Sequence, residues 1–197
     1  DAICDAQRNA FALAQRLLDG RAQRGDWLNI GGGLGVPYFP GERALDVGRV
    51  AENLLELSDL SRTQLGLPLV IELGRYLVAS AGIYVTRVLE RKVSHGEVFL
   101  ICDGGLHHHL AASGNFGQVI RKNYPVAIGT RMSAGGMRLR QTVVGPLCTP
   151  LDILADRMSL PEADAGDLVV VFQSGAYGLT ASPRGFLGHP EPAEVLV

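Results

Sequence analysis

The stretch Asp26-Trp-Leu-Asn-Ile-Gly-Gly-Gly-Leu-Gly35 decides how the rest of the chain is read. A short apolar run that passes directly into glycines predicts a buried strand ending in a tight loop. Consecutive glycines bring backbone N–H groups up to an anion with no side chains in the way, which suits a phosphate. The same loop also reads as a plain turn without a ligand. Upstream, Phe11, Leu13, Ala14, Leu17 and Leu18 form one helical stripe within Asp1–Gly20, and Gly20 suits the C-terminal stop. Downstream, Pro37, Pro40 and Gly41 mark a loop, and Asp46 is placed to cap a helix. That helix keeps Val50, Leu54, Leu57 and Leu65 at helical spacing until Gly66. A second buried strand, Leu69-Val-Ile-Glu-Leu73, ends in Gly74-Arg75. Strand, glycine loop, helix, strand and polar loop are the rhythm of a parallel α/β unit.

After about Gly82 the texture changes. Val85–Val93, Glu97–Cys102, Pro125–Ile128, Arg138–Val144 and Asp167–Phe172 read as strands between turn-rich stretches, with Glu194–Val197 as one more candidate. Only Leu151–Met158 carries a helical pattern here. The expected fold class is therefore α/β plus β. Residues 1–82 read as the tail of an α/β domain, and residues 83–197 as a β-barrel or sandwich. A net charge of −2 gives no reason to expect nucleic acid or an anionic membrane as partner. No apolar run approaches the roughly 20 residues that span a bilayer. Cys4, Cys102 and Cys148 are too few and too scattered for a disulfide framework or zinc site, and they fit a reducing cytoplasm. The chain shows no secretory signal and opens on Asp1 within a helix, so its N-terminus is expected to lie further upstream.

Several residues invite chemistry, each beside a plainer reading. Glu72 and Arg75 end a strand, where a carboxylate can face a protonated ring nitrogen and an arginine can clamp phosphate; they also read as a surface ion pair. Cys148 follows a strand and opens a loop, either as a proton donor or as a small core residue. Asp152 reads as a helix N-cap or a substrate contact. Tyr177, in Ser174-Gly-Ala-Tyr-Gly178, can offer its hydroxyl to phosphate or rest on a turn. His107, His108 and His109 are neighbours whose side chains cannot all reach one ion, and no metal site is expected.

The order of these signals carries more than any one of them. Glycine loop, Glu-x-Gly-Arg, Cys-Asp-Gly-Gly, Gly-Pro-Leu-Cys and Gly-Ala-Tyr together resemble the C-terminal half of the alanine-racemase-fold decarboxylases, such as diaminopimelate and ornithine decarboxylases. The resemblance implies a (β/α)8 TIM-type barrel holding pyridoxal 5'-phosphate, a C-terminal β-domain and a head-to-tail homodimer. It implies that Gly31, Gly32 and Gly33 cradle the phosphate through N–H groups, helped by Gly74, Arg75 and Tyr177. Glu72 would keep the pyridine nitrogen protonated. Cys148 would return a proton to the α-carbon, at the partner subunit's cofactor. Arg75, Asp152 and Tyr177 match positions near the substrate.

Leu73 stands where the family has proline, a mild departure because the neighbouring residues do the chemistry; two others bear on the substrate. Thr149 follows the cysteine where an acid usually meets a distal amine. Ala111 falls where diaminopimelate enzymes place an arginine. The run His107–Gly117 resembles decarboxylase-like proteins of exosortase and exopolysaccharide clusters instead. A barrel takes about 250 residues, yet only some 80 precede the β-rich part, so the chain reads as a C-terminal half. Its two lysines, Lys92 and Lys122, do not end barrel strands, and the cofactor-binding lysine is expected upstream. The predicted activity is that of a carboxy-lyase acting on a basic or carrier-linked amino acid. The alternatives are a racemase of the same fold and a non-catalytic pyridoxal-phosphate carrier.

Overall fold

The computed structural model describes residues 2–21, 25–39, 41–133 and 137–197. Asp1 and Pro40, which entered the reading of the first helix and the following loop, lie outside the described residues. Two compact units emerge: residues 1–37 with 43–77, and residues 38–42 with 78–197. The second unit begins before Gly82 because residues 78–82 already bond to it: Ser174 N–H donates to the Gly82 carbonyl at 2.8 Å, and Gly175 N–H to that of Ala79 at 3.1 Å.

In the first unit, α1 (Ala2–Leu18) turns Cys4, Gln7 and Phe11 inward. β1 (Leu28–Asn29) follows, then α2 (Val47–Leu60), whose N-terminus is capped by Asp46 accepting from Arg49 N–H at 3.0 Å. The helix widens into a π-turn over Ser61–Leu65 and closes on Gly66 at φ 68°, a left-handed stop that glycine adopts without strain. β2 (Leu69–Val70) then lies parallel to β1. The ladder assigned to each strand is only two residues long, shorter than the apolar runs that contain it. Its bonding continues nonetheless: Ile30 N–H reaches the Val70 carbonyl at 3.1 Å, and Glu72 N–H the Gly31 carbonyl at 2.8 Å. Phe11, Ile30, Leu57, Leu65 and Leu67 form the buried core under these elements. Truncating such a side chain to alanine costs about 2–5 kcal/mol.

The second unit's longer stretch begins at Val78, the last residue of the short helix α3 (Arg75–Val78), and carries one six-stranded mixed sheet. Its strands are β3 (Tyr84–Ser94), β4 (Glu97–Cys102), β5 (Val126–Ile128), β6 (Arg138–Val144), β7 (Ile153–Pro161) and β8 (Leu168–Val171). Their order is β5-β8-β3-β4-β6-β7, with only β4 and β6 parallel. The β3–β4 hairpin turns on His95-Gly96, both at positive φ as a two-residue turn of this twist requires. Asn123, just before β5, exchanges two side-chain bonds with the backbone of Asp156 in β7, at 2.7 and 2.8 Å. These bonds draw the sheet edges together and nearly close the sheet, as the barrel expectation requires.

Two expectations are corrected. Leu151–Met158 is not a helix; most of it belongs to β7. The strand pairs with β6 through register shifts, and Arg157 sits at φ 46°, so Leu154 and Ala155 both turn inward and break the alternation that marks a strand. Glu194–Val197 forms no strand in the structure and is exposed from Glu194 onward.

Candidate active site

The first group of site residues grows from the β1–β2 pair. Asn29 is the organising side chain. Its amide nitrogen donates to Glu72 Oε1 at 2.6 Å, and its oxygen accepts from Gly31 N–H at 2.7 Å. A carboxylate needs a donor and an N–H needs an acceptor, so both ends of the amide are assigned. Gly32 passes so close to β2 that a Cβ there would lie 1.8 Å from the Glu72 carbonyl oxygen, so no other residue fits. Gly31 and Gly33 take φ of 79° and 85°, with open space where a side chain would project. The Gly31 N–H, one of the three expected to face a phosphate, is thus already held by Asn29. Gly74 and exposed Arg75 follow at the start of α3, with Leu77 N–H donating to the Gly74 carbonyl at 3.1 Å. An oriented, exposed carboxylate beside side-chain-free turn backbone fits the ring nitrogen and phosphate of pyridoxal phosphate.

The second group lies in the sheet unit, and a buried carboxylate builds it. Asp152 is 2% exposed. Its Oδ1 accepts from Leu106 N–H at 2.6 Å and its Oδ2 from Leu147 N–H at 2.9 Å. A Cβ on Gly105 or Gly145 would fall 2.2 or 2.3 Å from this carboxylate, which explains glycine in both the Cys-Asp-Gly-Gly and Gly-Pro-Leu-Cys runs. The N-cap reading of Asp152 is overturned, because a strand follows it. The substrate-contact reading is revised likewise: both oxygens hold backbone, and Asp152 fastens the turn that presents exposed Cys148. Tyr177 is 46% exposed at φ 55°, with its ring 5.8 Å from that of Phe116. Gly175 is required two residues earlier because a Cβ would meet the Val78 carbonyl oxygen at 1.8 Å.

The three neighbouring histidines are buried, each in different surroundings. His108 bridges the Tyr84 hydroxyl at 3.1 Å and the Pro190 carbonyl at 2.8 Å. His109 accepts Ala112 N–H on Nδ1 at 3.2 Å, so its neutral ring carries the proton on Nε2, 2.9 Å from Ser174 Oγ. His107 stacks between His108 and His189, at 3.8 and 5.3 Å between ring centroids. Burial pushes His107 and His109 down to about 4. Among the described residues no cluster of three or more His, Cys, Asp or Glu could hold a metal ion.

Sequence reasoning missed Asn29, whose only signal was a polar residue inside an apolar strand next to the glycines. It also missed Asn115 and Arg121, which bond to backbone across the sheet unit and leave no local pattern.

A glycine turn and an oriented carboxylate at parallel strand ends, followed by a nearly closed mixed sheet, make a two-part architecture. The model of the pyridoxal-dependent decarboxylase pyridoxal binding domain matches residues 1–79, and that of the C-terminal sheet domain matches residues 44–175. The chain belongs to the pyridoxal-dependent decarboxylase family. It is 45% identical over 202 residues to the L-glutamyl-[BtrI acyl-carrier protein] decarboxylase of Niallia circulans, covering 100% of this chain and 46% of that protein. It is 31% identical to the diaminopimelate decarboxylase of Methanothermobacter thermautotrophicus, covering 94% of this chain and 42% of that one. Among solved structures, the Helicobacter pylori diaminopimelate decarboxylase complexed with L-lysine superposes with a TM-score of 0.77 at 26% identity, over 97% of this chain and 44% of that chain. The chain thus spans less than half the length of these relatives. Among the described residues no helix is long and apolar enough to cross a membrane.

Proposed function

We propose that this chain forms part of a pyridoxal-phosphate-dependent carboxy-lyase that removes the α-carboxylate of an amino acid. The observation that carries the reading is the Asn29–Glu72 bond, which orients a carboxylate beside a glycine turn free of side chains, as a pyridine nitrogen and its phosphate would need. Bound pyridoxal phosphate supplies an electron-withdrawing ring that accepts the bonding electrons of the departing carboxylate. This chain's residues serve that ring. Gly32 and Gly33 offer N–H groups to the phosphate, Gly74, Arg75 and Tyr177 add to its binding, and Glu72 holds a proton on the ring nitrogen. Cys148, exposed on the turn fastened by Asp152, delivers a proton to the α-carbon across the interface of a head-to-tail homodimer.

A racemase needs two opposed acid–base groups, whereas a lyase needs one proton donor, and the single exposed thiol of the Cys148 turn supports the lyase. Thr149 and Ala111 lack the charges that would meet a distal ammonium or carboxylate. The 45%-identical relative is named for a glutamyl group on an acyl-carrier protein. Together these support an amino acid whose distal end is linked to a carrier. The test is release of carbon dioxide by the whole protein, with pyridoxal phosphate, from L-glutamyl thioesters and from free diamino acids. Thioester decarboxylation that falls at least about 100-fold in Cys148→Ala, with cofactor still bound, is expected. A whole protein that binds cofactor but releases carbon dioxide from none of them is a carrier, and the lyase reading fails.

A further inference from the structure

The loop from Ser113 to Arg121 is pinned to the segment that carries Cys148 into β7. Asn115 Nδ2 donates to the Leu151 carbonyl at 3.1 Å and to Ser113 Oγ at 2.8 Å. Arg121 spans the other end, with Nη1 on the Ser113 carbonyl at 2.6 Å and Nη2 on that of Ile153 at 2.5 Å. Phe116 projects from this pinned loop, 46% exposed, and its ring lies against Tyr177 at 5.8 Å and 35°. One aromatic side chain therefore adjoins the tyrosine assigned to the cofactor, on a loop bonded to the turn of the proton donor.

The surface around it carries no formal charge. Residues 104–120, 145–151 and 173–183 contain no Asp, Glu, Lys or Arg. The charged residues that bound these segments are engaged: Arg121 holds two backbone carbonyls, Asp152 two backbone N–H groups, Asp103 the Thr86 hydroxyl and the Arg87 N–H, and Arg184 pairs with Glu191 at 3.6 Å. A distal ammonium or carboxylate entering here would lose water and find no counter-charge, a far larger cost than desolvating a neutral amide. Val119 and Ile120, 102% and 78% exposed, extend the same apolar surface.

We propose that Phe116 is a specificity-determining residue, packing against the uncharged, amide-bearing arm through which a carrier presents the amino acid. This rests on the lyase reading and adds the residue that reads the arm. Asn115 and Arg121 are positioning residues that hold the loop. A pure dimer contact at Phe116 is the competing role, and it has a different signature.

Two substrates for the whole protein separate these ideas: S-(L-glutamyl)pantetheine, and the methyl thioester with the same reacting end and no arm. In Phe116→Ala, KM for the pantetheine thioester is expected to rise about tenfold or more, with kcat little changed and the methyl thioester unaffected. Phe116→Leu, which keeps apolar bulk, recovers most of the loss. Equal losses on both substrates, or no change on either, overturn the proposal, as does a wild-type protein that handles both alike. If wild-type protein releases carbon dioxide from no amino acid or thioester, the lyase reading itself fails and takes this proposal with it.

Discussion

Single atoms set the limits of this site. The Gly32 position is the sharpest case, because an added Cβ would sit 1.8 Å from the Glu72 carbonyl oxygen, a backbone atom of the paired strand that cannot rotate away. Gly32→Ala must therefore push β1 from β2 and disturb the Glu72 N–H bond to Gly31. A loss of at least about 2 kcal/mol in urea unfolding is expected, with weakened cofactor binding in the whole protein. A wild-type urea midpoint in this variant would show that the close approach is not real. Glycine clusters in the sequence pointed to such crowding but not to its cause. At Gly32 it is a neighbouring strand, at Gly105 and Gly145 it is a buried carboxylate, and at Gly175 it is the chain near Val78.

Elements were legible where local pattern and tertiary burial agree. β4 matches its apolar run, which pairs with β6 in unbroken register from Val98 to Ile101. β7 did not, since Leu151, Leu154, Ala155 and Met158 happen to repeat at helical spacing while the strand's irregular register hides its alternation. The histidine segment was opaque for another reason: its partners Tyr84, Ser174, His189 and Pro190 all lie far away in the sequence. That segment gives the sheet unit a pH dependence. Burial holds His109, and His107 with it, at about 4 in the folded state against 6.5 when exposed. Between these values the unfolded chain binds more protons than the folded one, so stability falls as pH drops from 6.5 toward 4 and is fully present above that window. The loss at His109 alone is on the order of 3 kcal/mol at the acid limit. Protonating Nδ1 would also set it against the Ala112 N–H. Urea midpoints measured from pH 7 to 4.5 should fall, and His109→Gln should flatten the slope. A flat wild-type profile would mean that these rings take up protons within the fold as readily as when exposed.

At the scale of the whole molecule, the order of motifs along the chain identified the family while local texture identified only the fold class. The chemistry, however, is divided. The glycine cradle and Glu72 belong to one compact unit, and Cys148 and Tyr177 to the other. Both lysines also lie in the second unit, and neither belongs to the unit that carries the glycine turn. Lys92 stands in β3 paired in register with Phe99, and Lys122 sits 3.6 Å from Glu42 and 5.0 Å over the Phe39 ring. Covalent attachment of pyridoxal phosphate requires an unprotonated amine beside the phosphate cradle. Borohydride reduction of the 197-residue chain with pyridoxal phosphate should therefore add no stoichiometric phosphopyridoxyl mass, whereas a protein extended to the length of its relatives should gain one group per chain. Stoichiometric labelling at Lys92 or Lys122 would move the cofactor into the sheet unit. The roles given to Gly32, Gly33 and Glu72 would then fall together, because all three depend on the ring sitting at the ends of β1 and β2.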